Sequence, residues 1–294
     1  MNDTLYSING HIVPAEEAVI PVTDRGFLYG DGLFETLHAY GGKLFRVEEH
    51  LARLKSGAAK LFFEPAPDVA VLFNWLSAVM KAAGHEESHV RLTLTRGSGK
   101  HGPSLLGKFS PNVIIVATPY QRPPAEKTAQ GSSAIFATFR RQETAATAKL
   151  KSLNYLEQIL AKREADLAGV DEALLLNNAG MLCEGSASNI SLIRAGVLTM
   201  PDPERAGALP GIAQLTAVRA AENLGIPVSI TSLSPWDPGV SDEAFLTGSM
   251  REISPLVRIA DKLIGTGKPG PVTLRLLAEY KRIVEKECAP FRFK

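Results

Sequence analysis

Hydrophobic and polar positions change period several times along the chain. Residues 6–8 and 11–13 flank Asn9-Gly10, a pair that tolerates positive φ and signals a tight hairpin. Over 47–61, Leu51, Leu54, Ala58 and Leu61 recur at helical spacing, with Glu48 and Glu49 at the positive end of the expected helix. A second helix is predicted over 68–83, stopped by Gly84. Residues 89–95 then alternate like a half-buried strand, and 112–118 read as a fully buried one. The stretch from Pro119 to Lys127 is rich in proline and charge and has no period. The expected division is therefore an N-terminal domain over 1–118, a linker over 119–131 and a second domain over 132–294.

Beyond the linker a strand is predicted over 134–139 and a helix over 154–168. Leu153, Leu156, Leu160 and Leu167 give that helix an apolar stripe, and Asn154 and Glu157 have capping-box spacing. Strands over 173–176, 181–184, 189–193 and 197–200 form a meander, with turns at Asn178-Ala179-Gly180 and Ala195-Gly196. Pro210-Gly211 opens a helix that ends at Gly225, and 272–288 is a final amphipathic helix. Short strands with a few helices predict an α+β domain with a barrel-like sheet.

The 294 residues are 45% apolar and 21% charged, an ordinary globular balance. A formal net charge of +1 argues against a broad basic footprint for nucleic acid or an anionic membrane. Cys183 and Cys288 cannot make a disulfide framework, which points to a reducing compartment. The first 17 residues show no basic start and no apolar stretch of signal length, so a cytoplasmic protein is expected.

Two apparent motifs do not hold together. His85-Glu86-Glu87-Ser88-His89 matches the H-E-x-x-H zinc pattern, but Gly84 ends the helix that would place both histidines on one face, and no metal site is expected. Gly97-Ser98-Gly99-Lys100 lacks the spacing of a phosphate loop.

Lys149-Leu150-Lys151 lies before a helix in an otherwise apolar stretch. Such a lysine is either solvated or a Schiff-base lysine, whose amine loses its proton when desolvated. In an extended segment both lysines share a face, so period does not choose between them. Glu184 closes an apolar strand and is either a hairpin-end charge or the partner of a buried cation. The helix start at Gly211-Ile212, the turn Thr247-Gly248-Ser249 and Arg53 are anion-binding candidates. A Schiff-base lysine, a buried carboxylate and a phosphate cup are together what pyridoxal phosphate requires.

At these residues the chain resembles the class IV (fold type IV) pyridoxal-phosphate aminotransferases. That family includes branched-chain aminotransferases, D-amino-acid aminotransferases and aminodeoxychorismate lyases. The resemblance rests on Lys151-Ser152-Leu153-Asn154-Tyr155-Leu156, Glu184-Gly185-Ser186-Ala187-Ser188-Asn189, Leu209-Pro210-Gly211-Ile212 and the run from Asp242 to Ile253. The segments from Asp24 to Thr36 and from His50 to Leu54 extend it over nearly the whole chain. It implies two domains: a smaller N-terminal α/β two-layer sandwich and a C-terminal pseudo-barrel with flanking helices.

The resemblance implies that Lys151 bonds the cofactor and moves the Cα proton, and that Glu184 sits against the pyridine nitrogen. Tyr155 then bonds the phenolic oxygen, and Arg53, the Ile212 and Ala213 amides and Ser249 form the phosphate cup. Tyr29, Phe34 and Met250 fall on the substrate side, as do Thr36 and Arg96, which resemble the lyases. The chain departs from the family at Ala213-Gln214, where Thr-Arg is usual, and at Ser191, where an aromatic residue is common. The functions implied are transamination between an amino acid, of the branched-chain L- or D-amino acid class, and a 2-oxo acid; an alternative is release of 4-aminobenzoate and pyruvate from aminodeoxychorismate. A non-catalytic relative is a third reading. A homodimer is expected by the same resemblance, with the 97–108 loop reaching the neighbouring cofactor.

Overall fold

The computed structural model describes residues 4–289. The first half builds a six-stranded sheet: β1 (Leu5–Ile8), β2 (His11–Val13), helix α1 (Arg25–Tyr29), β3 (Gly32–Tyr40), β4 (Lys43–Leu44), helices α2 (Val47–Lys60) and α3 (Val69–Ala83), β5 (Glu87–Ser98) and β6 (Ser110–Pro119). The strand order is β2-β1-β6-β5-β3-β4, antiparallel throughout. Helix α3 begins where Asp68 accepts from the Ala70 and Val71 N–H groups, and ends at Gly84 in the left-handed conformation.

Period two in β3 divides its side chains between two environments. Leu33 and Leu37 join Leu51 and Leu54 of α2, Leu76 of α3 and Leu92 of β5 in the core of this half. Each such leucine contributes about 1.5–3 kcal/mol through burial. Phe34, Thr36, His38 and Tyr40 point the other way. Register places Phe34 beside Thr93, Thr36 beside Arg91 and His38 beside His89, so these polar β5 residues share that second face. The sequence pattern does not single out β3 as a strand, because it is buried on both faces and does not alternate in polarity.

Helix α4 (Ala125–Gln130) lies within the stretch expected as a linker. The second half follows with β7 (Ser132–Arg141), α5 (Leu156–Leu167), β8 (Glu172–Asn177), β9 (Leu182–Gly185), β10 (Asn189–Arg194), β11 (Val197–Pro201), α6 (Pro203–Ala206), α7 (Ile212–Asn223), β12 (Val228–Thr231), β13 (Glu243–Gly248), β14 (Glu252–Ile259), β15 (Lys262–Leu263) and α8 (Pro271–Glu287). Its sheet runs β12-β11-β10-β13-β14-β7-β8-β9, with β15 beside β14. The β9 end returns to pack against β10 and β11, so the sheet curls into a half-barrel. Helices α7 and α8 cover one face with Ala217, Ala220, Ala221, Leu276 and Tyr280.

One expectation about α5 is corrected, and the direction of its stripe, open in the sequence, is fixed. The leucine stripe faces outward: Leu156 is 66% exposed and Leu160 50%, while Ala161 and Ala165 form the buried side. The two small residues let the helix lie close against β7 and β8, which leaves no room there for leucine. Asn154 does not cap the helix; its Nδ2 donates to the Gly30 carbonyl at 3.1 Å, and α5 starts at Leu156. The H-E-x-x-H histidines are separated as expected, with His85 in the connection after α3 and His89 in β5. Among the described residues, no helix is long and apolar enough to cross a membrane.

Candidate active site

A cavity of about 380 Å³ lies between the outward face of β3 and β5 and the open end of the half-barrel. Phe34, Thr36, His89 and Arg91 form one wall. The opposite wall is built from Glu184, the Gly185–Asn189 turn, the start of α7 and the Thr247–Arg251 turn. Lys151 and Tyr155 lie between them.

Lys151 is placed by backbone hydrogen bonds. Its carbonyl accepts from Phe34 N at 2.9 Å, Leu153 N donates to the Gly32 carbonyl at 3.0 Å, and Leu33 bridges to Ser152. The segment thus runs as an extra short strand beside β3 and directs the lysine into the cavity, with Nζ 4.5 Å from the Phe34 ring centroid. Burial and the nearby Arg53 charge lower the Lys151 amine to about 8. Lys149 takes the other course: its Nζ pairs with Glu204 at 2.6 Å and does not line this cavity.

Glu184 is buried with a cation behind it. Arg141, at the end of β7, places Nη1 3.0 Å from Glu184 Oε1, and Leu209 N donates to Oε2 at 2.8 Å. Burial pushes the Glu184 carboxyl up, and Arg141 pulls it back. Beside it, the fully buried Glu172 accepts from the hydroxyls of Ser186 and Ser188 and shapes the turn after β9.

Arg53 is oriented by a buried group on β3. Its Nε and Nη2 donate to Glu35 at 2.8 and 2.6 Å, and Nη1 donates to the Pro210 carbonyl at 2.9 Å. His50 Nδ1 lies 2.6 Å from the same carboxylate. Burial alone would raise Glu35; hydrogen bonds from Arg53 and His50 outweigh it and hold the carboxyl at about 2. Next to Arg53, α7 begins at Gly211 with no side-chain cap. A Cβ at Gly211 would sit 1.9 Å from Asn189 Oδ1, so only glycine brings the chain this close.

Most residues singled out from the sequence meet in this one cavity: Arg53, Lys151, Tyr155, Glu184, Ile212, Ala213, Ser249, Phe34, Thr36 and Met250. Two do not. Arg96 is buried elsewhere, with Nε on Asp31 at 2.8 Å and its other nitrogens on the Leu61 and Phe62 carbonyls. It braces a loop. Tyr29 is exposed, and its hydroxyl accepts from Gly102 N at 3.1 Å. Sequence reasoning passes over Arg91, His89, Arg141 and Glu35. The first two are legible: alternation that buries Val90, Leu92 and Leu94 must turn His89 and Arg91 to the other face. Arg91 lies over the Phe34 ring, 3.9 Å from its centroid.

Two departures from the family pattern touch one another. Gln214 Nε2 donates to the Ile190 carbonyl at 3.2 Å and reaches Ser191 Oγ at 3.4 Å. The shorter amide and the small hydroxyl fill one buried space together.

The Amino-transferase class IV family matches residues 32–259. A Methanocaldococcus jannaschii protein, provisionally named a branched-chain-amino-acid aminotransferase, is 34% identical over 282 residues, covering 95% of this chain and 96% of that one. The T.th. branched-chain amino acid aminotransferase with pyridoxamine 5'-phosphate superimposes with a TM-score of 0.90 at 31% identity, covering 97% of this chain and 95% of that one. The 4-amino-4-deoxychorismate lyase of Pseudomonas aeruginosa does so at 0.85 and 33%, covering 97% and 100%. The chain belongs to the class IV aminotransferases, enzymes that use pyridoxal phosphate.

Proposed function

We propose that this enzyme moves an amino group from an amino acid of the branched-chain L- or D-amino acid class to a 2-oxo acid, with Lys151 as its catalytic residue. The observation that carries this is a single geometry: a lysine amine lowered to about 8 in a cavity that also holds a buried carboxylate and an uncapped helix start.

The cavity suits the cofactor in its donor set. The first α7 N–H groups have no side-chain cap, and the buried Thr247 hydroxyl has no hydrogen-bond partner among the described residues. Arg53, the Ile212 and Ala213 amides and Ser249 hold the phosphate; Ala213 offers only its backbone, so the helix dipole carries more of that end. Glu184 would face the pyridine nitrogen, its carboxylate oriented by Arg141, and Tyr155 would bond the phenolic oxygen. When bound, pyridoxal phosphate supplies the aldehyde that receives the amino group and a ring that takes up the electron pair left at Cα. Lys151 Nζ would hold the cofactor and would remove and return the proton at the substrate Cα. The Ser249–Met250 turn and Arg91 meet the substrate carboxylate.

The test is a screen of L- and D-amino acids with 2-oxoglutarate or pyruvate as acceptor. Stoichiometric formation of a keto acid from at least one donor is expected; no keto product from any donor would remove the proposal. A second reading, elimination from aminodeoxychorismate, is favoured by Thr36 in the cavity wall, and release of 4-aminobenzoate would establish it.

The working unit is a homodimer. Arg25 of α1 donates to Asp31 and to the Lys100 and Gly102 carbonyls of the 97–108 loop, and Phe27, Leu106, Leu156 and Leu160 stand exposed on α1, this loop and α5. A second copy would cover these exposed apolar side chains, and Tyr29 would then serve the neighbouring cavity. Leu160→Glu is expected to shift sedimentation toward monomer and lower activity together; a fully active monomer would contradict the dimer. Cys183 and Cys288, both buried and unbonded, suit the reducing cytoplasm.

A further inference from the structure

The turn on the substrate side of the cavity is held from the other half of the molecule. Gly248 to Arg251 joins β13 to β14 and is closed by Arg251 N donating to the Gly248 carbonyl at 3.0 Å. The next residue, Glu252, has φ +55°. That left-handed region is costly for a residue with a long side chain, and glycine or asparagine is its usual occupant.

The Glu252 side chain shows what keeps it there. It is buried, and Oε1 accepts from the Tyr40 hydroxyl at 2.9 Å and from Arg122 Nη1 at 2.8 Å. Arg122 is fixed in turn by Glu87, 2.7 Å from Nε, and the other Glu87 oxygen meets His38 Nε2 at 2.8 Å. Tyr120, two residues before Arg122, donates its hydroxyl to the Met250 carbonyl at 3.0 Å. Of these residues only Met250 lines the cavity.

We infer that Glu252, clamped by Tyr40 and Arg122, is a positioning residue: its left-handed backbone is a pivot that sets where Ser249 and Met250 meet the substrate carboxylate. This rests on the function proposed above. The clamp offsets the local strain because a buried carboxylate that lost either donor would be left undersatisfied. With the clamp released, the turn gains conformations that do not present its donors to the cavity, and binding weakens by the fraction of time spent in them. Tyr120 limits the same motion from the Met250 side.

Tyr40→Phe deletes one hydroxyl from the clamp, and Arg122→Met is the second variant. In hydrogen exchange, the amides of 248–252 are expected to exchange about fivefold faster in each, with those of α2 and α3 unchanged. In steady-state kinetics with a donor found in the screen, KM for donor and for 2-oxo acid should rise about five- to tenfold while kcat falls less than twofold. Glu252→Gln keeps an acceptor for both donors and should retain most of the wild-type KM. Unchanged exchange at the turn, or a uniform loss of protection with an unchanged KM, would overturn the inference. Should no donor be consumed by the wild-type enzyme, the proposed function fails on that ground, and the exchange measurement still decides whether the clamp fixes the turn.

Discussion

Lys151→Ala is expected to lower transamination by about 10⁴-fold, the upper end of what a positioned proton-transfer group contributes. The loss is large because, in the proposed reaction, one amine does two things: it holds the cofactor and moves the Cα proton. Its neighbours cannot replace it. Lys149 is committed to Glu204 outside the cavity, and a guanidinium such as that of Arg53 or Arg91 donates hydrogen bonds and accepts none. The backbone hydrogen bonds to Phe34 N and the Gly32 carbonyl involve no lysine side chain, so the variant should keep its fold and lose only the side chain's chemistry. Single-turnover assays of variant and wild type under matched cofactor loading measure the effect. A variant within tenfold of wild type would remove Lys151 from the catalytic role.

Glu35→Ala is expected to destabilise the folded enzyme by about 3–5 kcal/mol, the cost of removing one partner from a buried ionic group. Glu35 is fully buried and takes both donors of the Arg53 fork and His50 Nδ1. Without it the Arg53 guanidinium of α2 loses its counter-charge and the buried His50 imidazole loses its hydrogen-bond partner. A lower urea midpoint at unchanged slope would report the loss, and a change below about 1 kcal/mol would show that the cluster is not held as described. With Arg53 in the phosphate-binding role proposed above, cofactor binding should weaken as well, because Arg53 loses the group that aims it. The same carboxylate gives the wild type an acid dependence. Its folded value of about 2 lies below the ordinary 4.5, so its contribution is fully present above about 4.5 and is lost as pH falls through about 2. At about 1.4 kcal/mol per pH unit, that contribution is roughly 3 kcal/mol.

What the sequence reveals of this site follows from how locally each part is encoded. Lys151 and Tyr155 lie in one short run, Glu184 begins a glycine- and serine-rich turn, and Gly211 marks a helix start; each announces itself within a few residues. The groups that act on them come from distant segments. Arg141 reaches Glu184 from the end of β7, and Glu35 reaches Arg53 from a strand with no polar alternation to reveal it. The choice between Lys149 and Lys151 also needs the third dimension, because it depends on which residue's carbonyl pairs with β3. Helix α5 is the opposite case: its leucine stripe is plain and its direction misleads, since alanine meets the sheet and leucine meets solvent in the single chain. Hydrophobic spacing locates a helix but does not say whether its apolar face meets its own chain or another one.

The most direct measurement is borohydride reduction of the enzyme loaded with pyridoxal phosphate, followed by peptide mapping. A stable pyridoxyl label on the peptide bearing Lys151, fragmenting at Lys151, is the expected result. A label on Lys149, or no labelled lysine at all, would contradict the assignment of the reacting amine.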